Sequence, residues 1–164
     1  MKGDFFQKMD GALGVAMRWI GIFCMMALWG IITVTVLSRV VPIVSMGWSD
    51  EIVELLFAWM VFLGAAELCR QRKHFTVDLI PNILAGTKKG YALGIVIQLL
   101  ALVFLLVFTY QGGKVTTLAT DRSPYFELSR VFWYACMPLT GLIMTGFTIR
   151  NTWRLIRGKP LQHE

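Results

Sequence analysis

Histidine is almost missing from this chain: two are present, His74 and His163, and neither falls inside a long apolar run. A haem held by two histidines within a helical bundle is therefore excluded. The three cysteines, Cys24, Cys69 and Cys136, stand far apart among apolar neighbours with no paired spacing. That excludes a disulfide-generating centre and leaves them reading as small buried hydrophobes. Charge is scarce over long stretches. Trp19 to Ser38, Gly90 to Gly113 and Val131 to Ile149 carry none, and no carboxylate pair stands in the middle of any of them. A proton- or ion-coupling site of the usual intramembrane kind is missing with it. No small-residue cleavage site follows the first apolar run, so the start does not read as a secretory signal.

What is present is apolar length. Hydrophobic residues make up 56% of the 164. A helical run such as Trp19–Ser38 is about 30 Å long, the thickness of a bilayer's hydrocarbon core. A soluble fold with three such runs would have almost no polar surface to show water. The fold class expected is an all-α integral membrane protein with four transmembrane helices and short amphipathic interfacial segments. The spans lie near 18–39, 50–72, 90–111 and 131–150 of a single domain, 1–164. Residues 2–17 mix Phe5, Phe6, Met9 and Leu13 with Lys2, Asp4, Lys8 and Asp10. They read either as an interfacial helix or as an extension of the first span.

The net charge of +6 is a topology signal rather than a nucleic-acid patch, since no basic and aromatic residues alternate along one face. In a four-span arrangement, twelve of the 16 Lys and Arg fall on the side of the two termini and the middle loop. Positive charge belongs inside, so the expectation is N-in and C-in.

The second span organises the rest. Ser49 stands where a helix cap would be, and Asp50 and Glu51 occupy the first turn, where the helix dipole favours negative charge. The charge-free part, Leu55 to Ala66, is only about 18 Å long. It crosses a membrane only if Glu54 and Glu67 lie at the boundaries or are covered by neighbouring protein. Glu67 has Arg70 and Gln71 three and four residues on, a spacing that permits pairing on one face. In the third span Gln98 is the one strongly polar residue, and it reads as packing glue between helices. Pro138 sits inside the fourth span with Thr140 available to satisfy freed backbone groups. Gly112-Gly113 is expected to loosen the outer end of the third span, and a short helix is expected at Tyr125 to Ser129.

The blocks Trp48-Ser49-Asp50-Glu51, Phe57-Ala58-Trp59-Met60-Val61-Phe62-Leu63-Gly64-Ala65-Ala66 and Arg72-Lys73-His74-Phe75-Thr76-Val77-Asp78 resemble the small membrane subunit of tripartite ATP-independent periplasmic (TRAP) transporters. Tyr134-x-x-x-Pro138 agrees; Ser129 departs, where many members carry proline. The resemblance implies a non-enzymatic scaffold in a bacterial or archaeal inner membrane. It braces a large membrane subunit that takes up an organic acid with sodium, the acid being delivered by a periplasmic substrate-binding protein. It implies no cofactor on this chain, with sodium held by the large subunit. Docking of the binding protein is expected at Asp50, Glu51 and Arg122, and contact with the large subunit at Trp48, Glu54, Trp59, Phe62, Gly64 and Glu67. Contact with anionic lipid at the inner interface is expected at Arg70, Arg72, Lys73, His74, Arg150 and Arg154. The rival readings are a self-sufficient small four-helix transporter, which needs an ionisable residue within a span, and a membrane anchor of a redox enzyme, which usually shows histidine ligands.

Overall fold

The computed structural model describes residues 2–40, 47–71 and 88–156, with side chains described for 10–40, 47–71 and 92–153. The helices are α1 (Lys2–Val40), α2 (Ser49–Arg70), α3 (Lys88–Leu118), α4 (Val131–Tyr134) and α5 (Cys136–Ile156). Four stretches are long and apolar enough to cross a membrane: Asp10–Val40, Ser49–Arg70, Ala92–Leu118 and Val131–Trp153. Among the described residues there is no strand, only an isolated antiparallel bridge between Arg122 and Ser129.

The four spans do not close into a bundle. Among the described residues α1 packs only on α2, α2 packs on α5, and α5 packs on α3, so the order in space is α1–α2–α5–α3. The terminal members of this row are nearly bare, with 11% of the α1 and α3 span windows buried against 39% for the fourth span. On α1 the buried positions are Gly14, Met17, Cys24 and Leu28, a single seam at helical spacing, while Trp19, Phe23, Met26 and Trp29 are exposed. The core is correspondingly thin: Met17, Leu63, Ala66, Cys69, Leu105 and Met144, with Trp59 and Phe147 packed against it.

Lipid tails are as apolar as leucine, so these helices associate by close packing rather than by escape from water. Small residues make that possible between α3 and α5. Gly112 lies so near Met137 that an added Cβ would come within 2.9 Å of the Met137 Cβ, and Gly141 lies as tightly against Thr109. The hydroxyls that remain in apolar surroundings turn back on their own helix. Thr140, Thr145 and Thr152 donate to the carbonyls of Cys136, Gly141 and Thr148 at 2.5, 2.7 and 2.8 Å.

The structure corrects several sequence expectations. Residues 2–17 continue the first span as one 39-residue helix, about 58 Å long. Ser49 is the first helical residue; Trp48 holds the cap position and makes no side-chain cap hydrogen bond. The second helix is described over Ser49–Arg70, with the Gln71 amide closing its last turn on the Glu67 carbonyl at 2.9 Å, and Arg72 lies outside the described residues. Gly112-Gly113 does not loosen α3, which continues to Leu118, because Gly112 is used for close approach to α5. The fourth span is interrupted at Ala135, between α4 and α5. Pro138 lacks an N–H and its ring crowds the carbonyl four residues back, that of Tyr134, so the break falls there. The short helix expected at 125–129 is a single turn over 124–126, ended by Glu127 at φ 53°.

Candidate functional site

Polar groups gather at the two ends of α2 and are absent between. At its N-terminal end the Glu51 carboxylate is 8% exposed and is fully occupied. It accepts hydrogen bonds from Ser123 Oγ at 2.5 Å, the Tyr125 amide at 2.6 Å and the Phe126 amide at 3.3 Å. The turn at 124–126 presents these amides as the start of a helix would, and Glu51 caps it from another span. The loop closes on itself through the Arg130 amide on the Asp121 carbonyl at 3.1 Å and the Ser123 amide on the Leu128 carbonyl at 2.8 Å. One turn further along α2, Glu54 receives Arg130 at 3.1 Å, and Trp59 Nε1 donates to the Phe132 carbonyl at 3.1 Å. α2 and the loop leading into the fourth span are thus joined along three turns.

At the other end Glu67 is the hub. Arg70 meets it through Nε at 2.7 Å and Nη2 at 2.8 Å, and Gln71 Nε2 donates at 2.7 Å. These are the two partners that the three- and four-residue spacing allowed. Arg18 of α1 adds a longer contact at 3.4 Å. The far side of Arg70 approaches Asp10 at 3.6 Å, and Asp10 also receives Arg150 of α5 at 2.8 Å. Arg150 lies over the Phe147 ring at 4.9 Å. Gly14 makes room for this clamp, since a Cβ there would run into the Arg70 guanidinium. Asp10 and Arg150 therefore join α1 to α5 although their backbones do not pack. Sequence reasoning grouped Asp10 with a loose N-terminal segment and missed it. The available signal was a carboxylate two turns ahead of Arg18, with the second and fourth spans ending in Arg70 and Arg150.

The candidate residues divide accordingly. Of the three residues expected to dock the binding protein, Asp50 and Arg122 are exposed on the surface, whereas Glu51 is buried in the loop clamp. Of the residues expected to face the large subunit, Glu67 and Trp59 are engaged within this chain, and the Phe62 ring stacks against Phe108 of α3 at 5.7 Å. Trp48 is half-buried, Glu54 is exposed, and Gly64 has nothing within reach of a Cβ. Arg70 and Arg150 are in the inner clamp. Arg72, Lys73, His74 and the Arg154 side chain lie outside the described residues. Gln98 Nε2 reaches the Thr148 carbonyl at 3.4 Å, a link between α3 and α5. Among the described residues no group of His, Cys, Asp and Glu is placed to hold a metal ion. The clamps join helices, and a loop, to one another.

Residues 28–158 match the family model of tripartite ATP-independent periplasmic transporters, DctQ component. The chain belongs to this family. Members of the DctQ family are transporter subunits, not enzymes. The chain is similar to the sialic acid TRAP transporter permease protein SiaT of Haemophilus influenzae, 26% identical over 130 residues, which is 77% of this chain and 21% of that one. It is also similar to the C4-dicarboxylate TRAP transporter small permease protein DctQ of Vibrio cholerae, 30% identical over 136 residues, 68% of this chain and 59% of that one. The chain thus spans about a fifth of the first relative and 59% of the second. The matched stretch contains the outer clamp and all of the inner clamp except Asp10 and Arg18.

Proposed function

We propose that this DctQ component is a brace. It holds a large membrane subunit in place while that subunit takes up an organic acid with sodium, the acid being delivered by a periplasmic binding protein. In this reading both termini lie in the cytoplasm of a bacterial or archaeal inner membrane, and sodium and substrate bind the large subunit rather than this chain.

The observation that carries the reading is the open row of spans. A self-sufficient carrier encloses its site between helices, whereas among the described residues the helix backbones pack in an open row, α1–α2–α5–α3. Instead it leaves apolar faces uncovered. On α2 the exposed positions are Asp50, Glu54, Phe57, Val61, Gly64 and Leu68, one stripe at helical spacing. An open Gly64 within that stripe lets another helix approach closely. The SiaT relative supports the reading further. It is named a permease, and about four-fifths of its length lies outside the segment similar to this chain.

Asp50 and Arg122 are the exposed outer charges offered to the binding protein, with Glu51 holding the loop that carries Arg122. Charged patches of this kind speed encounter and are screened by salt. Arg72, Lys73, His74 and Arg154 are the groups offered to anionic lipid.

The test is co-purification of tagged Gly64→Leu with the large subunit in mild detergent. Since nothing among the described residues fills the space at Gly64, the variant is expected to fold normally and to lose the partner. Full recovery of the partner with Gly64→Leu would remove the α2 stripe from the interface.

A further inference from the structure

We propose that the tip of the loop between α3 and α4, made of Tyr125, Phe126 and Leu128, inserts among the lipid headgroups and sets the depth of α2 in the membrane. The proposal rests on the membrane-spanning reading, and on the proposed topology only in naming the outer leaflet.

Three observations converge. The tip is apolar and exposed: Tyr125, Phe126 and Leu128 show 57%, 41% and 46% of their surface, and Ser123 to Phe126 carries no charge. It is also held in that pose. The buried Glu51 carboxylate binds Ser123 and the amides of Tyr125 and Phe126, and the two rings meet edge-on at 5.3 Å. A loop free to collapse would turn these side chains inward; this one is clamped with them outward. Third, the tip is at the right height. The Tyr125 ring lies against Gly47, beside Trp48. From Glu67 in the inner clamp to Trp48 is about 28 Å along the helix, close to the ~30 Å hydrocarbon thickness. With one clamp at one boundary, Tyr125 and Trp48 fall at the other.

Tyrosine and tryptophan favour that layer because the ring is apolar and its polar edge can stay wet. Phe126 and Leu128 reach the upper acyl region, while Asp121, Arg122 and Glu127 remain with water. The clamp thus transmits the position of the lipid surface to the first turn of α2.

Tyr125→Cys carrying a nitroxide label tests this in the assembled transporter in lipid vesicles, since Cys24, Cys69 and Cys136 are buried. Collisions are measured with oxygen, which concentrates in the bilayer, and with a water-soluble nickel chelate. Oxygen access exceeding nickel access is expected, shifting to nickel when Phe126→Ser and Leu128→Ser are added. Nickel dominance in the starting protein would put the tip in water and overturn the proposal. Low access to both reagents would mean that protein covers the tip, and would overturn it equally. An unshifted balance after the two serine substitutions would show that these side chains do not hold the loop in lipid.

Discussion

Arg150 donates to the Asp10 carboxylate at 2.8 Å across 140 residues of chain, and it does so between two helices whose backbones do not pack. The link between α1 and α5 is therefore made by side chains alone. Asp10 is shared, facing Arg150 on one oxygen and Arg70 on the other. Removing it takes the carboxylate from Arg150, while Arg70 keeps its closer partner Glu67.

Asp10→Ala is expected to destabilise the chain by about 1–3 kcal/mol, the range for a lost charged hydrogen bond. The loss should appear as an earlier midpoint in detergent-titrated unfolding of the purified complex. An unchanged midpoint would mean that the bond is incidental.

Glu67 and Arg18 give an internal contrast. The Glu67 side chain is 10% exposed and accepts from Arg70 and Gln71 at short range, while Arg18 is 58% exposed and reaches it at 3.4 Å. Glu67→Ala should cost about 3 kcal/mol because the largely buried Arg70 guanidinium loses its carboxylate partner. Arg18→Ala should cost less than about 1 kcal/mol, as exposed ion pairs do. Equal losses in the same unfolding titration would contradict the burial difference.

Glu51→Ala should release the loop that it caps. Hydrogen exchange at the amides of Tyr125 and Phe126 should accelerate, by the equivalent of about 1–3 kcal/mol of lost protection. The α3–α5 contact should not move. Unaltered exchange at those two amides would show that the loop's own bonds suffice.

How far these features are legible in the sequence depends on the range of each interaction. The four spans are set by runs of apolar residues, and the Glu67–Arg70–Gln71 set by spacing along one helix, both local properties. Glu51 looked like one of three equivalent acids at a helix start. Its separate role arises because Ser123 and two backbone amides are brought to it from 72 to 75 positions away, which no local pattern encodes. Asp10 was hidden for the same reason. Gly112 was misread as a loosening residue because glycine at a turn and glycine at a tight helix contact look identical in one sequence. Pro138 was legible as a disturbance, and the rule that it crowds the fourth preceding carbonyl places the break at Ala135.

Both termini are expected inside. A reporter that is active only in the periplasm, fused after Glu164, should stay silent, and one placed in the loop near Glu127 should be active. The opposite pattern would invert the topology drawn from the positive charges.

The most direct test of the brace is uptake in reconstituted vesicles. Vesicles containing this chain alone, the large subunit alone or both would receive loaded binding protein and an inward sodium gradient. Uptake is expected only where both membrane subunits are present, with this chain alone indistinguishable from empty vesicles. Sodium-driven uptake by this chain by itself would contradict the account, because the open row of helices would then contain a transport path of its own.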